Sequence, residues 1–411
     1  MRFLHTSDLH IGKRIGKFSL EDLHKEFFEY LVKVCDEKDV QVLFIAGDVF
    51  NVPSPDFISE RIFYEGINNL ACDGKRIVII SAGNHDSSKK IDVASSLCLD
   101  KGIIFIPTIS SVVNNGDAIQ FKNFKLFNIQ EGAFKIQIED EILSVINLGC
   151  PTEENINFYK NNYEKVKLAE NYQDRIKEIL ETKKDFFKKD TLNFFMGHIY
   201  LNGTFELSES ETNYNIGGLY SVNSKSVPEN YDYIALGHLH KKQKVKSVEN
   251  AYYSGSPISF SKSEANHKKY IIYGEIDKNK KMNLEEIEVN LSKKTFYKSF
   301  KETDEIIKYI SENNFENTYV YFELCDEKFF NPKYNENNEK LINLLNDMEF
   351  LVDFEAKKEE AEIIKEEYSE DFEIYEVFKK LALNQFQDIE EERVLKLFDL
   401  YNNMLNIESR G

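Results

Sequence analysis

Tryptophan is absent from this sequence, cysteine and proline are few, and positive charge is outnumbered by negative. The five cysteines, Cys35, Cys72, Cys98, Cys150 and Cys325, are odd in number, far apart, and form no Cys-x-x-Cys pair. That pattern excludes a disulfide framework and a zinc knuckle, and all five read as packing residues. Seven prolines in 411 residues leave no Pro-rich linker. No apolar run approaches the roughly 18 residues a membrane span needs, and the chain opens on a strand without the apolar stretch of a signal peptide. A cytoplasmic protein with no membrane contact is therefore expected. Lys and Arg number 52 against 71 Asp and Glu, a formal charge of −19, which excludes a globally basic nucleic-acid surface. The acidity is uneven. From Asp353 onward there are 17 acidic and 8 basic residues, a net of −9, so almost half the excess lies near the end of the chain. Much of the rest includes carboxylates that bound cations would neutralise.

What the chain does have is five short polar clusters. They are Ser-Asp-Leu-His at 7–10, Gly-Asp-Val-Phe at 47–50, Gly-Asn-His-Asp at 83–86, Gly-His at 197–198 and Gly-His-Leu-His at 237–240. Five of the eight histidines fall inside them. The first three each follow an apolar run that reads as a buried strand (3–6, 42–46 and 77–82), so the polar groups sit where strands hand over to loops.

A phosphodiester is anionic and hydrolyses slowly, so its catalyst must neutralise charge, activate water and stabilise the leaving oxygen. Two divalent cations about 3.5–4 Å apart meet all three demands. Such a pair needs one bridging carboxylate, for which Asp48 is the candidate. Asp8 and His10 converge on one ion when the strand breaks into a loop, and His240 completes its set. Asn84, His198 and His238 then serve the second ion. Imidazole and oxygen donors without thiolate favour Mn²⁺, Fe or Zn²⁺ over an all-oxygen Mg²⁺ or Ca²⁺ site, and Mn²⁺ is the expected ion. His85, spare from the ligand count, is the candidate catalytic group that orients the phosphate or protonates the departing oxygen. Asp86 beside it is expected to hold the His85 tautomer from behind. Lys13, Arg14, Lys241 and Lys242 flank the ligands and are candidates for tracking a DNA backbone. A lone His at a strand end is more often structural than a ligand; five such clusters in order reverse that. His5, His24 and His267 lie outside them and read as core or surface residues.

A length of 411 residues implies two or three folding units. Strands near 3–6, 42–46, 77–82 and 103–106 alternate with helices at 20–38, 56–72 and 89–100, the signature of βαβ units in a largely parallel sheet. Residues 111–148 change to short strands of a second sheet. Residues 155–189 read as an exposed charged helix, followed by strands at 193–196 and 233–236. A charged turn at 277–281 marks the first expected boundary. Beyond it, two helices (302–313, 335–347) and two strands (317–324, 350–354) suggest a small α+β module. Helices at 372–383 and 390–405 carry apolar residues at helical spacing, and their faces need a cover supplied by this chain or a partner. The expected division is 1–276, 277–354 and 355–411.

These clusters, at these intervals, resemble the calcineurin-like metallophosphoesterases. The stretches MRFLHTSDLHIG, GDVFNVPSP, SAGNHD, DYIALGHLH and SGSPISFSKSEANHKK, with residues 197–217, are further similar to the bacterial SbcD-type nuclease subunits. The resemblance implies an α/β two-sheet sandwich flanked by helices, a small α+β capping domain over the DNA-binding face, and a C-terminal helical pair that docks on an SbcC-type ATPase. It implies a homodimeric exonuclease and endonuclease acting on DNA ends and hairpins in repair and recombination. Carried over by position, it puts ligands at Asp8, His10, Asp48, Asn84, His198, His238 and His240, with His85 catalytic. One departure stands out: many relatives have Asp or His three residues after the bridging carboxylate, and this chain has Asn51, an amide that takes up no proton. Two alternatives remain at this stage, a phosphodiesterase or phosphatase for smaller substrates on the same core and a silent scaffold subunit. About 130 residues after the core argue against the first, and an intact ligand set argues against the second.

Overall fold

A computed structural model of the chain describes residues 1–113, 118–162, 172–201, 221–246, 248–330 and 335–357. Its first sheet has six strands in the order Met282–Glu288, Tyr270–Ile276, Arg2–Thr6, Val42–Ala46, Ile77–Ser81 and Ile103–Phe105. The last four run parallel, and Tyr270–Ile276 pairs antiparallel with Arg2–Thr6. Strands 42–46 and 77–81 are buried along their whole length. That explains why they read as unbroken apolar runs, because a parallel sheet covered on both faces has no polar side.

Helices α1 (Glu21–Glu37), α2 (Phe57–Ala71) and α3 (Ser88–Cys98) connect these strands. Phe27, Phe28, Leu31, Phe63 and Ile67 pack from α1 and α2 onto Leu43, Ile45, Val78 and Ile80. Asp56 caps α2 by accepting from the Ser59 amide, and Ser87 caps α3 through the Lys90 amide.

An eight-stranded sheet lies behind the first, with Tyr233–Gly237, Leu192–His198 and Glu141–Gly149 at its centre. Phe3 and Phe44 of the first sheet meet Phe194 of the second, the Phe3 ring edge-on at 4.8 Å and the Phe44 ring stacked at 5.3 Å. Each fully buried Phe contributes roughly 1.5–3 kcal/mol, so this shared layer fixes one sheet against the other. His5 ties them with polar bonds. Its Nδ1 accepts from the Tyr233 hydroxyl at 3.0 Å and its Nε2 donates to the Leu236 carbonyl at 3.1 Å. Burial lowers its pKa to about 3, so it is a neutral core histidine.

Three expectations change. Residues 277–281 form the turn of an antiparallel hairpin, with Met282–Glu288 pairing along Tyr270–Ile276 inside the first sheet; a charged turn looks alike at a hairpin tip and at a boundary. Within the exposed helix expected over 155–189, the described residues hold helical Glu153–Asn162 (α4) and Tyr172–Glu181 (α5), and α5 is not exposed, since it buries Ile176, Ile179 and Leu180. The module after the core has a third strand, because Lys294–Phe300 joins Thr318–Cys325 and Leu351–Lys357 in an all-parallel sheet. Helices α6 (Thr303–Glu312) and α7 (Asn335–Asp347) pack on it through Ile306, Ile307, Leu341 and Leu345. The helices expected at 372–383 and 390–405 lie outside the described residues. Among those described, no helix is long and apolar enough to cross a membrane.

Candidate metal centre

The polar clusters meet at the ends of the central strands of both sheets. Strand Arg2–Thr6 delivers Asp8 and His10, Val42–Ala46 delivers Asp48, and Ile77–Ser81 delivers Asn84 and His85. From the other sheet, Leu192–His198 ends on His198, and Tyr233–Gly237 leads into His238 and His240. The first two loops continue the strand pairing: Asp8 donates its amide to the Gly47 carbonyl, and His10 to that of Asp48, each at 3.0 Å.

Asp8, His10, Asp48 and His238 all have positive φ, between +44° and +101°. Non-glycine residues in that region cost about 1–3 kcal/mol each, and here the strain turns successive side chains into one space. Two glycines permit the closeness. A Cβ on Gly83 would fall 2.0 Å from Asp48 Oδ1, and one on Gly47, whose φ is +86°, would fall 2.5 Å from the His198 ring.

Asp48 Oδ2 lies 3.4 Å from His10 Nε2 and 3.3 Å from His198 Nε2, so one carboxylate oxygen faces imidazoles from both sides of the centre. His198 Nε2 is also 3.1 Å from Asn84 Oδ1 and 4.0 Å from Asp8 Oδ1. His10 Nε2 is 3.1 Å from His240 Nε2. The His198 and His238 rings stand 5.3 Å apart, and the His238 amide donates to Asp8. All seven predicted ligands are thus brought together. Three overlapping triads, Asp8 with His10 and His240, His10 with Asp48 and His85, and Asp8 with Asp48 and His198, each hold their donor atoms within 4.8 Å.

The residues present fit a divalent metal. His198 Nδ1 donates to the Ala46 carbonyl at 2.9 Å and His240 Nδ1 to Glu264 at 3.0 Å, which turns each Nε2 toward the centre. Nδ1 of His10 is buried without a hydrogen-bond partner among the described residues. Among the same residues, the ion-pair partners of Asp8 and Asp48 are histidines alone, so cations would supply the missing positive charge.

The electrostatics carry the same stress. Burial and the adjacent Asp48 raise the Asp8 pKa against the pull of His198 and His240. Burial works against ionising Asp48 too, but His198 and His10 outweigh it and hold that carboxyl well below the usual range. Burial likewise disfavours the charge on His198, yet Asp48 and Asp8 push its pKa up to about 9. His10 is driven well below its ordinary value by burial, and His238 to about 3 by burial and its neighbour His198.

His85 is partly exposed, and its Nδ1 donates to the Asn51 carbonyl at 3.0 Å. The backbone of Asn51, not the Asp86 side chain, therefore fixes the His85 tautomer. Asp86 accepts from the amides of Gly83 (2.9 Å), Val49 (3.0 Å) and Phe50 (2.8 Å), tying two ligand loops together. A carboxylate has acceptors to spare for such a crosslink, and sequence spacing does not reveal it. Lys13 lies close enough to His10 to oppose its protonation. Arg14 donates to the Lys17 carbonyl, and Lys241 is exposed. Lys242 differs from its expectation as a rim cation, since its ammonium pairs with Glu286 at 2.6 Å and lies over the Tyr270 ring. His24 on α1 donates to the Leu9 carbonyl at 2.8 Å and props the first ligand loop.

Residues 1–242 match the model of the calcineurin-like phosphoesterase family. The chain belongs to that family. Among curated relatives, it is 27% identical over 329 residues to the SbcD subunit of the nuclease SbcCD from Bacillus subtilis (strain 168), covering 79% of each chain. It is 28% identical over 286 residues to the counterpart from Staphylococcus epidermidis, covering 69% of this chain and 68% of the other. The Escherichia coli K12 protein is 27% identical over 290 residues, 66% of this chain and 64% of its own. This calcineurin-like phosphoesterase is a phosphodiester hydrolase of the SbcD type that binds divalent metal.

Proposed function

We propose that this phosphoesterase is the metal-dependent nuclease subunit of a two-protein DNA-processing complex, hydrolysing phosphodiesters at duplex ends and hairpins. The observation that carries the reading is the single Asp48 oxygen held 3.4 Å and 3.3 Å from imidazoles that come from different sheets. A carboxylate so placed suits two ions, with Asp8, His10 and His240 on one side and Asn84, His198 and His238 on the other. The donor set favours Mn²⁺. When bound, the ions supply positive charge to the phosphate and activate water for attack.

The protein's own groups do the rest. His85, its tautomer fixed by the Asn51 carbonyl, stands beside His10 and Asp48, where its ring would orient the phosphate or protonate the leaving oxygen. Asp86 keeps the two ligand loops in register. Lys13, Arg14 and Lys241 lie on the rim, where backbone phosphates would pass.

The relatives are subunits of the nuclease SbcCD, and on that basis an SbcC-type ATPase is the proposed partner, docking on residues 372–405. A homodimer is supported by Phe57, Val93 and Leu97, exposed by 74%, 73% and 75% on the neighbouring helices α2 and α3. A cytoplasmic location completes the proposal. The proposed division becomes a phosphoesterase core of residues 1–291, a cap of 292–357 and a docking segment beyond, supported by the pairing of Met282–Glu288 within the first sheet.

Turnover by purified protein with Mn²⁺ on a labelled DNA hairpin, compared with a chromogenic diester and monoester, tests the reading. Cleavage of hairpin and diester is expected. Preference for the monoester would overturn it, and no turnover of any substrate would favour a scaffold.

A further inference from the structure

The segment after the last ligand cluster contains a buried ionic group that the proposed reaction does not use. Glu264 ends a short 3-10 turn (Lys262–Glu264) and is 1% exposed. One carboxylate oxygen accepts from His240 Nδ1 at 3.0 Å and from the Ser261 hydroxyl at 3.1 Å. The other accepts from Lys269 Nζ at 2.7 Å and from the Ser256 hydroxyl at 3.2 Å. Lys269 is itself buried and donates also to Ser256 at 2.9 Å.

A buried carboxylate with this many partners is rigid. Its turn is pinned from both sides by the third sheet: Lys262 pairs with Glu323 and Glu355, and the Asn266 amide side chain bonds both the amide and the carbonyl of Tyr297. Phe260, from the same segment, stands edge-on to the rings of His10 and His240 at 5.3 Å and 5.8 Å. His240 is thus packed against the Phe260 ring and held at its far nitrogen by Glu264.

We propose that Glu264, anchored by Lys269, is the positioning residue that fixes the His240 tautomer and aims its Nε2 at one of the two ions. The proposal rests on the reading of His240 as a ligand. A carboxylate behind a ligating imidazole locks ring orientation and raises donor strength, and its loss typically weakens metal binding roughly 10–100-fold. The effect is confined to one side of the centre, because His198 on the other side is held by a backbone carbonyl, that of Ala46.

The test is a Mn²⁺ titration of the full chain followed by the electron paramagnetic resonance of free Mn²⁺. Three forms are compared: the natural protein, Glu264→Gln, and the double variant Glu264→Gln with Lys269→Met. The double variant removes both buried charges, so no unpaired ammonium is left to unfold the site. The expected result is two ions on the natural protein, and on the double variant one ion held as before with the other weakened roughly 10–100-fold. The nitrogen chemical shifts of His240 in the metal-free protein should also lose the pure Nδ1–H pattern. Two ions retained at unchanged affinity would overturn the positioning role while leaving the metal centre intact. Equal weakening of both ions together with a lowered melting temperature would overturn it in favour of a purely structural role. No Mn²⁺ on the natural protein would remove the metal reading and this inference with it.

Discussion

Loading the centre with metal should release one proton from His198 between about pH 7 and pH 8.5. In the metal-free protein, Asp48 and Asp8 push the His198 pKa up to about 9 against the effect of burial. Its Nδ1 is committed to the Ala46 carbonyl, so the extra proton sits on Nε2, the nitrogen that faces Asp48 and Asn84. An ion bound there must displace it. His10 and His238 are held neutral by burial and release none in this range. The apparent affinity for that ion should therefore rise roughly tenfold per pH unit, about 1.4 kcal/mol per unit. The metal-free fold responds in the opposite sense. A pKa raised from 6.5 to about 9 contributes stability that is complete below about 6.5 and disappears as pH rises through 9. Mn²⁺ titrations and thermal melts at half-unit intervals measure both slopes. A metal affinity flat from pH 7 to 8.5 would refute the proton displacement and the electrostatic picture behind it.

Other perturbations separate the roles of individual residues. His85→Gln should keep metal and DNA binding but lose roughly 10²–10⁴ in kcat; full activity in a hairpin-cleavage assay would remove His85 from the chemistry. Gly83→Ala, whose Cβ would meet Asp48 Oδ1 at 2.0 Å, should abolish binding of at least one ion in calorimetry while leaving far-ultraviolet circular dichroism unchanged. Asp86→Ala leaves three loop amides without their acceptor and should cost about 2–4 kcal/mol in denaturant unfolding; a change under about 0.5 kcal/mol would contradict the crosslink. Ending the chain before Phe372 should spare hydrolysis of the chromogenic diester and abolish co-purification with the ATPase. Retained co-purification would move the docking site elsewhere.

The centre was legible because its carriers are local. Each of the first three ligand clusters follows a strand apolar enough to be recognised alone, and buried parallel strands leave little other reason for Asp or His at their ends. What stayed hidden depends on contacts across the chain. Glu264 reaches His240 from 24 residues away, and its segment, though part of the family resemblance, carries no periodicity that marks a buried acid. Adjacency to His85 suggests a direct bond from Asp86, whereas the loop turns its carboxylate toward the amides of Gly83, Val49 and Phe50. Asn51 holds His85 through its backbone carbonyl, a contact that the identity of its side chain does not reveal. Residues 277–281 show the limit of composition: the pairing of Met282–Glu288 with Tyr270–Ile276 makes them a hairpin. Lys242 looked like a rim cation because Glu286, its partner, lies 44 residues on.

Anomalous diffraction from crystals soaked in Mn²⁺ tests the shared carboxylate most directly. Two peaks are predicted, both within bonding distance of Asp48, one beside His10 and His240 and the other beside Asn84, His198 and His238. A single peak, or two peaks that leave Asp48 without a bond to either, would contradict it.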